Sequence, residues 1–210
     1  MVFKNDKKDN LDQFEWKTKS VYDSFWRSAG EFIVEIVKVV IISLAIIIPV
    51  RYFLIQPFYV KGASMEPNFY DHEYLIIDEI GYRFTQPQRG DIVVFRYPKD
   101  PRQYFIKRII GLPGETIKIK DGRVFVVNAE HADGLAIDEE LYLPETVKTA
   151  GNKEVQLAAD EYYVLGDNRE YSLDSRNFGP VPARLVIGRV WLRGWPFDRI
   201  TVFSTPNYNN

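Results

Sequence analysis

The sequence predicts a mainly β protein preceded by one transmembrane helix, and three patterns support this prediction. A strongly apolar run occupies residues 32–55. After residue 56, short runs of β-branched and aromatic residues alternate with Gly, Pro and Asp, which is typical of strands and turns. Asp121-Gly122 separates two alternating runs and is a two-residue hairpin signal. We therefore expect the β region to form a barrel or a sandwich.

Composition narrows the classes of protein that the chain can belong to. Its 210 residues, 46% of them apolar, suffice for one sizeable domain and an appendage. The 27 basic and 29 acidic side chains include no basic block, so nucleic acid is not an expected partner. Without cysteine there is no disulfide framework and no thiolate zinc site. Two histidines are a poor basis for any metal site, and no cofactor is expected.

The apolar run is predicted to be a retained membrane anchor. Its length matches the roughly 20 residues that a bilayer requires. The uncharged centre, Val39 to Val50, also fits a buried helix, but no other segment has a helical apolar pattern able to cover it. A cleaved secretory signal would begin with a short basic region, whereas some thirty mixed residues precede this run.

The distribution of charge predicts the orientation of this anchor. The polar segment 1–31, a tail or a short amphipathic helix, carries six basic residues, and only Arg51 and Lys61 closely follow the run. The positive-inside bias therefore places residues 1–31 in the cytoplasm and residues 56–210 outside it.

Eight strands are predicted within residues 56–210. Between Asn128 and Asp160 the apolar spacing weakens, and this segment is interpreted as an insertion on the main β domain. The predicted strands are Tyr74–Ile77, Ile92–Tyr97, Phe105–Ile110, Thr116–Lys120, Arg123–Val127, Glu161–Leu165, Val186–Leu192 and Ile200–Phe203.

One serine, Ser64, follows the apolar run in a setting of small residues. Gly62 and Ala63 leave the backbone beside its hydroxyl uncrowded, and Pro67 restricts the chain just beyond it. A reactant can therefore approach the Ser64 hydroxyl and amide closely, which suits a nucleophile. A serine in an ordinary turn has the same neighbours, because Gly, Ser and Pro are common turn residues. This stretch alone leaves both interpretations open.

A serine nucleophile needs a base, and neither histidine is well placed for that role. His72 lies between two acidic residues, as expected of a solvated turn. His131 lies in the loosely patterned segment 128–160. The sequence therefore does not favour a triad built on histidine.

A lysine can act as the base when burial lowers its pKa, because desolvation penalises the ammonium form. Lys107 is the candidate, since in a strand it shares a face with the apolar residues Phe105 and Ile109. Arg108 is then expected to point to solvent. The alternative is an edge-strand lysine that lies over apolar neighbours.

A third polar stretch, residues 166–181, follows the predicted strand that ends at Leu165. Hydroxyls of Ser172 or Ser175 can hydrogen-bond an amine, and Asp174 with Arg176 can form a supporting ion pair. A solvated loop is the alternative.

Taken together and in order, these stretches resemble the type I (leader) signal peptidases of bacteria. The similarity extends from about Arg51 to Ile200, and the ordered set is far more specific than any one motif. The stretches are Ser-Met-Glu-Pro at 64–67, Arg-Gly-Asp-Ile-Val-Val-Phe at 89–95, Lys107-Arg108 with Gly-Leu-Pro-Gly-Glu at 111–115, Gly-Asp-Asn-Arg at 166–169 with Ser172, Asp174, Ser175 and Arg176, then Gly188-Arg189-Val190 and Trp195-Pro196.

The resemblance implies a role for each matching residue. Ser64 is the implied nucleophile, Lys107 the general base and Ser172 the group that orients the lysine amine, with Asp174 and Arg176 in support. The oxyanion is held by the Ser64 amide and a second donor at position 62, where some members have a hydroxyl residue and this chain has Gly62. That second donor is then a backbone amide or is missing. The positions that line the specificity pockets in relatives are Val60, Met65, Phe69, Phe105 and Ile106.

The resemblance also implies a fold and a substrate. The fold is a largely antiparallel β domain with coiled sheets and a smaller inserted β region. The substrate is a signal peptide of an exported preprotein, cleaved after small residues at positions −1 and −3, on the outer side of the bacterial cytoplasmic membrane. Two alternatives stay open: a self-cleaving repressor-type protease with Ser/Lys chemistry, and a non-catalytic membrane-tethered β domain that binds peptides.

Overall fold

The computed structural model describes residues 6–49 and 56–206, and it describes side chains over residues 27–49 and 57–206. The chain divides into two compact units, Met1–Val50 and Arg51–Asn210.

The first unit contains a single long helix, α1 (Asp6–Pro49). Within it, Arg27–Pro49 is long and apolar enough to cross a membrane, with a mean hydropathy of 2.6 and none of its apolar stretch buried in the protein. These 23 residues rise about 35 Å, enough for a hydrocarbon core of about 30 Å. The predicted span 32–55 overlaps this segment over residues 32–49, and residues 50–55 lie outside the described part of the chain. The bounds of the membrane span stay a prediction.

The second unit is built mainly from strands. Short helices α2 (Gly81–Phe84) and α3 (Ser175–Phe178), and two 3-10 turns at Ala183–Leu185 and Phe197–Arg199, connect them. The strands are β1 (Gln56–Tyr59), β2 (Tyr74–Asp78), β3 (Ile92–Tyr97), β4 (Asp100–Gly111), β5 (Thr116–Lys120), β6 (Arg123–Val127), β7 (Leu135–Ala136), β8 (Lys153–Gln156), β9 (Glu161–Leu165), β10 (Val181–Pro182), β11 (Val186–Trp195) and β12 (Thr201–Val202).

These strands form two antiparallel sheets, which confirms the predicted mainly β fold. The larger sheet has the order β1-β2-β11-β3-β4-β9-β10, with β12 paired to β11. The smaller sheet has the order β7-β6-β5-β8. At the turn between β5 and β6, Asp121 and Gly122 have φ values of 52° and 79°. Positive φ at both central residues is what a two-residue hairpin of this kind requires, so the hairpin prediction is also confirmed.

All eight predicted strands are present. The last of them, predicted at Ile200–Phe203, is the two-residue strand β12. The prediction missed β1, β7, β8 and β10. Two of these, β7 and β10, are only two residues long and carry no readable period, and β8 is largely exposed and polar. The structure supplies their partners from distant segments, which local sequence patterns do not reveal.

The smaller sheet does not coincide with the predicted insertion at 128–160. That segment contributes β7 and β8, but these strands flank the β5–β6 hairpin in one sheet. Ile117, Ile119, Val124 and Val126 of the hairpin are buried with residues of β4 and β9. The smaller β region therefore begins at Thr116, and it packs against the strands that lead to the candidate site.

Candidate active site

Ser64 lies in the loop between β1 and β2, and buried side chains anchor this loop. Met65 and Phe69 are 1% and 0% exposed and pack in a core with Val60 and Leu75. The Phe69 N–H donates to the Met65 carbonyl oxygen at 2.9 Å. Ser64 itself remains partly exposed. The loop therefore presents the Ser64 hydroxyl from a fixed base.

The Lys107 side chain contacts the Ser64 hydroxyl. It lies in β4 opposite Val93 of β3, and its side chain is buried, with 3% of the residue exposed. The Lys107 Nζ atom donates to Ser64 Oγ at 2.7 Å and to the Ile106 carbonyl oxygen at 2.7 Å. The structure thus brings together the two residues that the sequence nominated as nucleophile and base.

Burial lowers the pKa of Lys107 to about 8, although the negative charges of Asp174 and Asp167 act in the opposite direction. Desolvation penalises the ammonium form more than these carboxylates stabilise it. A neutral amine is therefore accessible near pH 8, and a neutral amine can accept the proton of the Ser64 hydroxyl.

The two histidines lie away from Ser64 and Lys107. The His72 side chain is 74% exposed and its Nδ1 lies 3.0 Å from Asp71 Oδ2, as expected of a solvated turn. His131 takes part in the turn after β6, where its N–H donates to Asn128 Oδ1. Neither residue lines the groove at Ser64. In the described part of the chain, no group of His, Asp and Glu is arranged to hold a metal ion.

The backbone amides of Ser64 and Gly62 are the candidate donors for an oxyanion. Within the described residues, the Ser64 N–H donates no hydrogen bond, so it is available to a developing negative charge. The Gly62 N–H instead donates to Asp71 Oδ1 at 3.0 Å. The Gly62 amide is therefore engaged within the loop, and its expected role at the oxyanion stays a prediction. Its φ of 88° explains the glycine, because this conformation is costly for a residue with a Cβ atom.

Ser172 lies close to Ser64, but it does not hydrogen-bond the lysine amine. A Cβ atom on Gly166 would lie 2.1 Å from Ser172 Oγ and 2.5 Å from the Ser64 carbonyl oxygen. Ser172 Oγ is buried and makes no hydrogen bond of ordinary geometry among the described residues. Its hydroxyl nevertheless favours the ionised form of Asp174. An orienting role for Ser172 toward Lys107 stays a prediction.

Asp174 and Arg176 form the expected ion pair. The Arg176 Nε and Nη2 atoms lie 2.9 Å from the two carboxylate oxygens of Asp174. Burial raises the pKa of Asp174, but the Arg176 guanidinium and the Gly166 N–H outweigh it and hold this pKa below its usual range. Asp174 also caps α3, and the Arg176 Nη2 atom donates to the Arg169 carbonyl oxygen at 2.6 Å. The pair therefore fixes the shape of the loop that contains Ser172.

The prediction for Arg108 was wrong, because its side chain is buried. It was expected to face solvent, but it is 3% exposed and forms two hydrogen bonds of 2.8 and 2.7 Å with the Asp167 carboxylate. The reason is that both faces of β4 are covered at this point, one by the Ser64 loop and the other by Tyr142, whose ring centre lies 4.0 Å from Arg108 Cζ. Charged residues of strands that are buried on both faces have to be paired.

Asn168 was not nominated individually from the sequence, although it belongs to the Gly-Asp-Asn-Arg motif. Its backbone N–H donates to the Ser64 carbonyl oxygen at 3.1 Å, and its Nδ2 atom donates to the Ala63 carbonyl oxygen at 3.0 Å. The loop after β9 is therefore tied directly to the backbone of the Ser64 loop. Only the ordered set of motifs signalled this connection.

A groove of about 610 Å³ runs along the Ser64–Lys107 pair. Of the five expected pocket residues, Val60, Phe105 and Ile106 line it. Met65 and Phe69 do not, because they are buried in the core beneath the loop and present no surface to a ligand. Tyr104, Tyr171 and Leu173 line the groove as well, and they were not expected.

A serine hydroxyl that is hydrogen-bonded to a buried lysine amine, on a β scaffold beside a groove, defines a class of candidate serine hydrolases. The family model described as signal peptidase, peptidase S26, matches residues 33–195. The chain therefore belongs to the signal peptidase family, and it is an enzyme of the serine protease class.

Two relatives identified by sequence agree with this assignment. The probable signal peptidase I-2 of a Synechocystis strain is 36% identical over 193 residues, which cover 90% of this chain and 82% of the relative. Signal peptidase I P of Bacillus subtilis subsp. natto is 35% identical over 80% of this chain and 92% of its own length. A solved signal peptidase I from Enterococcus faecalis V583 is 30% identical, with a TM-score of 0.42 over 50% of this chain and 97% of that chain.

Proposed function

We propose that this chain is a membrane-anchored signal peptidase I that uses Ser64 as the nucleophile and Lys107 as the general base. The observation that carries the proposal is the 2.7 Å hydrogen bond between Lys107 Nζ and Ser64 Oγ. Its substrate is the signal peptide of an exported preprotein, as the names of the relatives suggest. No metal or cofactor enters the proposed reaction.

The proposed reaction begins with proton transfer from the Ser64 hydroxyl to the neutral Lys107 amine. Ser64 Oγ attacks the carbonyl carbon of the scissile peptide bond, and the Ser64 N–H stabilises the resulting oxyanion. The Lys107 ammonium then protonates the leaving amine, which is the new N-terminus of the mature protein. Lys107 next activates a water molecule, which hydrolyses the acyl-enzyme and restores the Ser64 hydroxyl.

The edges of two strands beside the groove suit an extended peptide. Strand β9 pairs with β4 only from Arg108 onward, so the backbone of residues 103–107 has no strand partner on that side within the described chain. β1 is the first strand of the larger sheet, and its outer edge is likewise unpaired there. Both segments line the groove. A substrate strand can therefore hydrogen-bond to either edge, as in β-strand addition.

The walls of the groove favour small side chains beside the cleavage point. Val60, Ile106 and Leu75 line it next to the catalytic pair, and all three are held by packing in one core. Because these apolar side chains form the wall of the groove beside Ser64, we expect small apolar residues at −1 and −3 to be accepted there. Phe105 is fixed by stacking on Tyr97, with a ring-centre distance of 4.6 Å.

The apolar segment Arg27–Pro49 serves as the anchor in this proposal. The basic residues that precede it place the N-terminus in the cytoplasm, so the β unit works on the outer side of the bacterial cytoplasmic membrane. A self-cleaving repressor-type protease would not explain the apolar anchor segment. A non-catalytic peptide-binding domain would not explain a buried lysine amine hydrogen-bonded to a serine hydroxyl.

The test compares four single variants of the full-length protein in detergent. Ser64→Ala and Lys107→Ala are expected to lose preprotein cleavage by at least about 10³-fold, because each removes one member of the proposed pair. His72→Ala and His131→Ala are the matched controls and are expected to keep wild-type cleavage. Full activity of the Ser64→Ala or the Lys107→Ala variant would reject the Ser/Lys mechanism.

A further inference from the structure

The smaller sheet contains an irregular segment, residues 138–149, whose contacts reach the catalytic loops. This 138–149 segment is well packed, since Leu143 is buried and Thr149 is fully buried. The Leu143 N–H donates to the Glu139 carbonyl oxygen at 2.8 Å, and the Thr149 N–H donates to the Gly122 carbonyl oxygen at 2.9 Å. The segment is therefore an ordered part of the smaller sheet and can hold other residues in place.

The first contact of this segment is with the loop after β9. The Glu139 carboxylate receives two hydrogen bonds from the Arg169 guanidinium, which is buried, and Thr149 Oγ1 accepts a third. The Arg169 Nε atom in turn donates to the Gly166 carbonyl oxygen at 3.0 Å. Gly166 is the residue whose missing side chain makes room for Ser172 and the Ser64 backbone.

The second contact is made by Tyr142. Its ring covers the Arg108 guanidinium at 4.0 Å, and its hydroxyl donates to Glu139 Oε1 at 3.0 Å. Arg108 is the chain neighbour of Lys107 and pairs with Asp167 inside the protein. The Tyr142 ring thus closes the side of β4 opposite the groove and shields a buried ion pair from water.

The third contact joins Tyr142 to the Ser64 loop through Asn68. The Asn68 Nδ2 atom donates to the Tyr142 carbonyl oxygen at 2.8 Å and to Asp167 Oδ2 at 2.8 Å. Asn68 lies four residues after Ser64 in the same loop. One amide group therefore connects the nucleophile loop, the buried carboxylate and the smaller sheet.

We propose that the 138–149 segment positions the catalytic pair, and that Tyr142 is its main positioning residue. The Tyr142 ring acts through Arg108 on the strand that carries Lys107, and the Tyr142 backbone carbonyl oxygen acts through Asn68 on the loop that carries Ser64. The smaller sheet is thereby given a function in the reaction, although it contributes no residue to the groove on the Ser64 side. The inference rests on the proposed Ser/Lys mechanism.

The test uses the full-length enzyme and a short soluble peptide, so that KM and kcat are measured apart from membrane effects. We expect Tyr142→Leu to lower kcat by roughly 10- to 100-fold and to change KM by less than about 3-fold, because misplacement by about 1 Å is enough for such a loss. Tyr142→Phe keeps the ring over Arg108 and should stay within about 3-fold of wild type. Leu141→Ala, at a half-exposed neighbouring position, is the matched control.

A second readout separates positioning from a general loss of stability. Without the Tyr142 ring, water reaches the Arg108–Asp167 pair beside Lys107, and the kcat/KM profile should shift to higher pH by about 0.5 to 1 unit as Lys107 becomes less desolvated. Asp167 and Asp174 are the charged groups that act on Lys107, and both remain in the variant. A variant that is only less stable would keep the wild-type pH midpoint of kcat/KM. Active-site titration gives the concentration of folded, active enzyme to which the rates are normalised.

The outcomes discriminate between the two proposals. Ser64-dependent activity with wild-type kcat and pH midpoint in Tyr142→Leu overturns the positioning role alone. Full activity in Ser64→Ala overturns the proposed mechanism and this inference with it. Should Tyr142→Leu fail to fold, Asn68→Ala removes the other connection of the segment, the hydrogen bond from the Ser64 loop to the Tyr142 backbone carbonyl oxygen. It is expected to lower kcat to a similar extent, and wild-type kcat in Asn68→Ala overturns the inference.

Discussion

Gly166 and Ser172 are packed so closely that a methyl group on Gly166 would lie 2.1 Å from Ser172 Oγ. The same methyl group would lie 2.5 Å from the Ser64 carbonyl oxygen, which is backbone and cannot move aside as a flexible side chain can. The loop after β9 can therefore approach Ser64 only because residue 166 has no side chain.

We accordingly expect Gly166→Ala to lower kcat by roughly 10²-fold or more, because the Ser64 loop has to shift away from Lys107. The measurement is steady-state cleavage of a short peptide by the purified variant. Gly194→Ala is the control, since its added methyl group would meet only ordinary contacts at 3.9 Å and beyond. Equal kcat values in the two variants would mean that the loop accommodates the methyl group without moving Ser64.

The pH dependence of cleavage should follow the protonation of Lys107. With a pKa of about 8, the fraction of Lys107 in the neutral form increases about tenfold per pH unit well below this value and saturates above it. We expect kcat/KM for a soluble peptide to rise from pH 6, to reach half of its maximum at about pH 8 and to level off above about pH 9. Lys107→Arg should be inactive throughout, because a guanidinium is not deprotonated in this range. A profile that is flat from pH 6 to 9 would exclude Lys107 as the base.

The same shift predicts how stability depends on pH. Lys107 has a folded-state pKa of about 8 and an unfolded-state value of about 10.4, so between these values the unfolded chain binds more protons. Its contribution therefore becomes more stabilising as pH rises from about 8 to 10.4, and below pH 8 the buried ammonium costs up to about 3 kcal/mol.

Lys107→Met removes this cost, and we expect it to be about 1–3 kcal/mol more stable than wild type at pH 7, with the difference shrinking toward pH 10. Urea unfolding of both proteins at the two pH values gives the comparison. Destabilisation by Lys107→Met at pH 7 would show that the hydrogen bonds of the amine outweigh its desolvation.

Groove residues and core residues should respond differently to truncation. Ile106 lines the groove, so Ile106→Ala enlarges it, and we expect at least a tenfold gain for substrates with Val or Leu at −1 or −3, relative to alanine substrates. Phe69 is fully buried, so Phe69→Ala should cost about 3–5 kcal/mol of stability and leave the specificity of the folded enzyme unchanged. Competition between paired peptides measures the first effect, and denaturant unfolding measures the second. Altered substrate specificity in the Phe69→Ala variant would indicate that Phe69 contributes to the substrate pocket.

The anchor should matter most for membrane-inserted substrates. Only residues 50–63 lie between α1 and Ser64, a reach of at most about 50 Å even when fully extended. An enzyme anchored through this connection is expected to act near the bilayer, on substrates held in the same membrane. We expect residues 56–210 alone to be slowed at least about tenfold more on a membrane-inserted preprotein than on a short peptide with the same cleavage sequence. Equal losses on both substrates would indicate that the anchor only stabilises the fold.

The amino-acid sequence by itself determined the fold class and the apolar helical segment, and it nominated the catalytic candidates. These features depend on short-range patterns: the apolar run before Pro49, the alternation that buries one face of each strand, and the Asp121-Gly122 turn. Lys107 could be nominated because its neighbours in the strand, Phe105 and Ile109, already predict an apolar surrounding. Ser64 could be nominated because the small residues before it and the motif around it are local.

Only the tertiary structure decided which of these residues meet and which are covered. Arg108 alternates with Lys107 and was expected in solvent, but Tyr142, thirty-four positions further along the chain, covers that face of β4. Met65 and Phe69 are sequence neighbours of Ser64 and nevertheless belong to the core. The physical reason is that burial, hydrogen bonding and the pKa of a buried lysine depend on groups brought together from distant parts of the chain.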